Sequence, residues 1–257
     1  MLKDYDIHAT LASSDTERAK AWFADKLGWT PTKELAGFIR YEVGPTAFSV
    51  YESPSAGTAK NTVMFWLVDN VASEVARLSD RGVAFEEYDF GDFKTVDGVM
   101  TDPGGNHTAW FKDVDGNIIS LIDATQATQK NVVGPMIASS DLERSKGWYA
   151  RVGGYEPLYE EGGQVVGYQS GGATFNVYRT DYAGTAQNTV AAFLVPDIRT
   201  EMADLRSRGV TFEDYDFGNA KTIDGLLLDT DGTTNAWFKD PDGNVIGLQG
   251  PDEAPPT

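Results

Sequence analysis

Residues 109–117 read Ala109-Trp110-Phe111-Lys112-Asp113-Val114-Asp115-Gly116-Asn117. The run returns 127 positions later as Ala236-Trp237-Phe238-Lys239-Asp240-Pro241-Asp242-Gly243-Asn244. Working outward from it, positions 61–123 and 188–250 are identical at 33 of 63 places. Further upstream, Ala12-Ser13-Ser14-Asp15 reappears as Ala138-Ser139-Ser140-Asp141, an offset of 126. Self-similarity at one fixed period marks a tandem duplication. The expected organisation is a first repeat over 1–124, a polar linker over 125–131, a second repeat over 132–250 and a flexible tail over 251–257.

Inside one repeat the elements alternate. Residues 6–12 predict a strand with Ile7, Ala9 and Leu11 on one face and His8, Thr10 and Ala12 on the other. Ser13-Ser14-Asp15 supplies helix-capping chemistry, and Ala19, Trp22, Phe23 and Leu27 follow at helical spacing up to Gly28. Strands are expected at 36–43, 46–52 and 62–68, then an amphipathic helix from Val71 to Leu78. Further strands are expected at 83–88, 97–101, 107–112 and 118–122, with tight turns at Asp115-Gly116-Asn117 and Asp102-Pro103-Gly104-Gly105-Asn106. Each repeat is strand–helix–three strands, twice. The fold class is therefore α+β, with four βαβββ units.

The strand-to-Asp-to-helix opening, His8…Asp15…Trp22-Phe23…Leu27-Gly28-Trp29, and the closing Asp-x-Asp-Gly-Asn turn resemble the vicinal oxygen chelate superfamily. That superfamily holds the glyoxalases, bleomycin-resistance proteins and extradiol dioxygenases. The resemblance covers about 5–123 and 132–249 and implies two tandem glyoxalase-like open-barrel domains, each with a cavity. It also implies, for enzymatic members, a divalent metal held by a His on the first strand, a His on the strand after the midpoint and a Glu on the last strand. Those positions here hold His8, Thr62 or Val63, and Ser120, with Glu52 as a further acidic candidate. In the second repeat they hold Gly134, Thr189 or Val190, and Gly247. A transition metal needs at least three converging imidazole or carboxylate donors. The set falls short, so neither a metal nor any other cofactor is expected.

Composition narrows the remaining chemistry. The 257 residues carry 21 Lys plus Arg against 39 Asp plus Glu, a formal charge of −18, with two His and no Cys. Such acidity argues against nucleic acid and anionic membranes as partners and suits a cationic ligand. Absent cysteine excludes disulfides and thiolate catalysis. No apolar leader opens the sequence, and a cytoplasmic protein, monomeric or weakly dimeric, is expected.

Strand alternation then selects the cavity lining. The candidates are His8, Thr10, Arg40, Phe65, Leu67, His107, Ser120 and Ile122, with His8 the one candidate for catalysis. The lining is mostly apolar, which suits a pocket for a hydrophobic or aromatic small molecule, as in the drug-sequestering relatives that the resemblance implies. The alternative is a lyase, isomerase or dioxygenase-like enzyme using His8 as a base or an atypical metal site. The repeated loop Tyr88-Asp89-Phe90-Gly91…Lys94-Thr95…Asp97-Gly98 is kept in both copies and is expected to be structural.

Overall fold

Asp15 starts the first helix by accepting a hydrogen bond from Arg18 N at 3.0 Å, and Gly28 ends it in the left-handed region at φ +75. Between them run α1 (Thr16–Trp22) and a π-helical turn, Phe23–Leu27. The second repeat copies the device with Asp141 and Gly154 around α3. In this computed structural model the described residues are 1–89, 91, 94–124, 131–218, 220–228 and 232–251. The expected linker, Asn131 apart, and the expected tail, Pro251 apart, lie outside the described residues. So does Phe90 of the repeated loop.

The first quarter of the chain is β1 (Ile7–Ser13), α1, β2 (Lys33–Leu35), β3 (Phe38–Val43) and β4 (Thr46–Glu52). The second is β5 (Thr62–Val68), α2 (Val71–Ser79), β6 (Thr95–Val96), β7 (Val99–Thr101), β8 (His107–Lys112) and β9 (Ile118–Asp123). The third is β10 (Val132–Ser139), α3 (Leu142–Gly153), β11 (Tyr159–Glu161), β12 (Val165–Ser170) and β13 (Ala173–Arg179). The fourth is β14 (Thr189–Leu194), α4 (Ile198–Ser207), β15 (Leu226–Leu228), β16 (Thr233–Lys239) and β17 (Val245–Pro251). The expected strand at 83–88 is instead a single bridge, Phe85 to Phe111. Glu87 explains the break: its carboxylate accepts from Gly98 N and Thr95 Oγ1, which pulls the chain off the sheet edge.

The strands form two curled half-barrel sheets, ordered β15-β16-β17-β14-β1-β4-β3-β2 and β11-β12-β13-β10-β5-β9-β8-β7-β6.

Two compact units result: Ala9–Gly134, and Met1–His8 with Pro135–Thr257. The core of the first is aromatic. Tyr41 and Phe48 stack at 4.8 Å, Phe23 lies 5.4 Å from Phe48, and Trp22 stacks on Phe111 at 6.3 Å. Each such ring removes apolar area from water at roughly 25 cal/mol per Å² and adds about 0.5–1.5 kcal/mol through its ring contacts. The second unit repeats the plan with Tyr149, Tyr155, Tyr168 and Phe175. It also takes in the N-terminal strap. Gly171 N donates to Lys3 O, Ser170 Oγ to Tyr5 O, Gly172 N to Asp6 Oδ1 and Leu194 N to Asp6 O.

The closing turn locks the first strand to its helix. Asp115 accepts from Ser13 Oγ at 2.7 Å, Ser14 N at 2.9 Å and Arg18 Nη2 at 2.6 Å. The two serines therefore hold the turn, while Asp15 alone caps the helix. No helix among the described residues is long and apolar enough to cross a membrane.

Candidate functional site

Strand alternation separates a core face from a concave face on each quarter. Tyr41 and Phe48, register partners on β3 and β4, point into the aromatic core. Their neighbours Arg40 and Ser49, also partners, point the other way. The register extends this rung in both directions, giving Lys33–Arg40–Ser49–Thr10 across β2, β3, β4 and β1. The next rung on the same face is Leu35–Phe38–Tyr51–Ala12.

The cationic rung is unusual in its unmet partners. Ser49 is 0% exposed, and its Oγ has no hydrogen-bond partner. Arg40 is half-buried, and neither it nor Lys33 has an ion-pair partner among the described residues. Thr10 is buried beside Ser49, and His8 is 3% exposed at the head of the same strand face.

The second quarter has the matching rung Phe65–Ser120–Trp110 across β5, β9 and β8, followed by Leu67–Ile122–Thr108–Met100. Ser120 is 2% exposed, and its Oγ also lacks a partner. Trp110 is held by Tyr88, edge to face at 5.5 Å. Tyr88 of the repeated loop therefore supports this face.

The second repeat shows what the same positions look like when filled. Its equivalent of the cationic rung is Tyr159–Gly167–Asn176–Met136. The Tyr159 ring lies against Gly167, where a Cβ would sit 2.2 Å from it, and Tyr159 OH donates to Asn176 Oδ1 at 2.6 Å. The equivalent of the second rung is Ala192–Gly247–Trp237.

The predicted site residues fall into three places. His8, Thr10 and Arg40 lie on the eight-stranded sheet. Phe65, Leu67, Ser120 and Ile122 lie together on the concave face of the nine-stranded sheet, as two adjacent rungs. His107 is on that sheet too, but alternates with Thr108 and so leaves the concave face. Its Nδ1 is 2.7 Å from Asp123 Oδ2, and Asp123 also accepts from Val71 N at the start of α2. A single cavity containing all eight is therefore replaced by two faces and a rim. Sequence reasoning missed Ser49, Lys33 and Trp110. Ser49 was findable: it stands on the last strand of its quarter as Ser120 does on the last strand of the next.

With this geometry in hand, residues 7–121 match the family model for the Glyoxalase/Bleomycin resistance protein/Dioxygenase superfamily. The first repeat belongs to that superfamily. Glyoxalase I from Zea mays is similar in structure at TM-score 0.65 and 16% identity, over 95% of this chain and 91% of that one. A putative dioxygenase from Bacillus subtilis is similar at TM-score 0.62 and 14% identity, over 99% and 87%. No curated protein sequence matches. At these identities the likeness shows the fold alone, a tandem glyoxalase-like arrangement.

Few metal donors stand at the positions to which the resemblance assigns an ion. His8 offers one imidazole, Thr62, Ser49 and Ser120 offer hydroxyls, Asn176 an amide, and Val63 and Gly247 nothing. Glu52 shares its strand face with Val50 and Phe48, away from Ser49. Among the described residues no three His, Cys, Asp or Glu side chains are grouped to hold a metal ion. The donor set does not fit a divalent metal, which asks for imidazole or carboxylate ligands.

Proposed function

We propose that this glyoxalase-superfamily protein is a metal-independent binder of a small, partly aromatic molecule, held on the concave faces of its sheets. The observation that carries this is the pair of buried, unpartnered hydroxyls, Ser49 Oγ and Ser120 Oγ, each at the centre of its rung. A buried polar group without a partner costs about 1–3 kcal/mol, a cost that a ligand removes by bonding to it. Half-buried apolar and aromatic side chains surround each hydroxyl: Phe38 and Tyr51 near Ser49, Trp110 and Ile122 near Ser120. Apolar walls with a few placed polar groups are the usual make-up of a small-molecule site.

The test is elemental analysis and native mass spectrometry of protein purified without chelator. Substoichiometric transition metal, a melting temperature indifferent to EDTA and a co-purified or screened organic ligand are expected. One equivalent of tightly bound Zn, Fe, Mn or Ni would overturn the metal-independent reading.

A further inference from the structure

The overall charge of −18 suits a cationic ligand, yet the concave face of the first quarter reads the other way. Lys33 and Arg40 are direct register partners on β2 and β3, so two cations stand side by side. Neither is neutralised. Among the described residues no carboxylate pairs with them, although the chain has nearly two acids for every base. Glu34, beside Lys33 in sequence, points to the opposite face and binds Lys20 at 2.7 Å. Glu42 shares the face of Arg40, two residues along β3, but forms no ion pair with it and is exposed. Next to Arg40 on the adjacent strand is the buried, unpartnered Ser49 hydroxyl.

An aromatic rung runs parallel to this cationic one. Phe38 and Tyr51 are register partners, both half-buried, two residues from Arg40 and Ser49 respectively. Two residues of strand span about 7 Å. The face therefore pairs a fork of N–H donors with an apolar, ring-stacking strip at a fixed separation. In the second repeat Tyr159 and Gly167 replace Lys33 and Arg40, and the Tyr159 hydroxyl already occupies Asn176. That rung has neither the charge nor an unpartnered buried polar atom.

We infer that the Lys33–Arg40–Ser49 rung is a carboxylate-binding subsite, and that the ligand of this face is an aryl-alkanoate whose ring lies along Phe38 and Tyr51. Arg40 supplies the charge-assisted hydrogen bonds, since a guanidinium fork matches the two oxygens of a carboxylate. Ser49 donates the hydrogen bond that it otherwise lacks, and Lys33 adds charge from the rim. This rests on the binding function proposed above and names its ligand class.

The probes are 4-phenylbutyrate, its neutral analogue 4-phenylbutyramide and 1-naphthol, titrated calorimetrically into the full chain at pH 7. The carboxylate is expected to bind about 10- to 100-fold tighter than the amide, the range for one charged hydrogen-bonded contact. Arg40→Met should collapse that ratio towards one while leaving 1-naphthol unaffected. Lys33→Met should lower it severalfold, Glu42→Gln should raise it, and salt should weaken the carboxylate alone. Circular dichroism and melting confirm that each variant folds. Equal affinity for acid and amide, or an unchanged ratio in Arg40→Met, overturns the carboxylate subsite. Binding of 1-naphthol without the acid overturns the subsite but leaves the binding function standing. Failure of all three probes counts against both.

Discussion

The side-chain amide of Asn117 donates to the carbonyl of Ala12 at 2.9 Å, joining the closing turn of the second quarter to the first strand 105 residues earlier. Asn244 repeats the contact with Ala138 at 2.7 Å. Both asparagines are buried, and both also donate to the aspartate that opens their turn, Asp113 or Asp240. Asn117→Ala strands a carbonyl and a carboxylate oxygen together. It should cost about 2–4 kcal/mol, read as a lower urea midpoint at unchanged slope.

Asp113 and Asp240 give stability an acid optimum. Burial is the main cause that pushes each carboxyl up from 3.8 to about 6, against the opposing hydrogen bonds from Asn117 and Asn244. A raised folded pKa favours folding below 3.8, and this benefit is lost as pH climbs through 6. Asp115 and Asp242 act oppositely. They are themselves partly desolvated, but hydrogen bonds from Ser13 and Ser140 and the Arg18 and Arg144 guanidinium groups hold their carboxyls below the usual value. Their contribution is present above about 4 and lost in stronger acid. Urea titrations at several pH values should peak near pH 4, fall as pH rises towards 6 and fall again in stronger acid. The carbon NMR titration of Asp113 should have its midpoint near 6.

Two serine classes should separate cleanly. Ser49→Ala and Ser120→Ala each delete a buried hydroxyl that bonds to nothing, so stability should hold or rise by up to about 1 kcal/mol. Ser13→Ala removes an acceptor for Asp15 N and a donor to Asp115, and should cost about 1–2 kcal/mol. Thermal melts of the three variants side by side make the comparison. A loss in Ser49→Ala equal to that in Ser13→Ala would contradict a Ser49 hydroxyl without a partner.

Gly167 exists to seat Tyr159. Its Cβ would enter the tyrosine ring, so Gly167→Ala should eject the ring at a cost of about 1–3 kcal/mol. Tyrosine difference absorbance should then report one newly solvated phenol.

The sequence carries the alternation and the duplication openly, so Phe65, Leu67, Ser120 and Ile122 fall together where period two puts them. It carries partner choice between quarters far less well. Each quarter has the same pattern, so nothing in β1 alone states whether β14 or β5 lies beside it. His107 misleads because a strand-end side chain is one residue from the opposite face, and Asp123 captures it there. Residues 33–35 form a strand that the sequence does not betray, because three exposed residues have no buried face. Their consequence is large, for Lys33 comes with them.

The strap at Met1–His8 reverses the order in which this protein can be completed. Its partners at Ser170, Gly171 and Gly172 lie 165–168 residues further along the chain. On a translating ribosome the strap must wait, with Leu2 and Tyr5 exposed, until the third quarter has emerged. Closing so long a loop makes this a late and slow step. A nascent chain stalled near residue 134 therefore offers an unpaired strand end to any neighbouring copy.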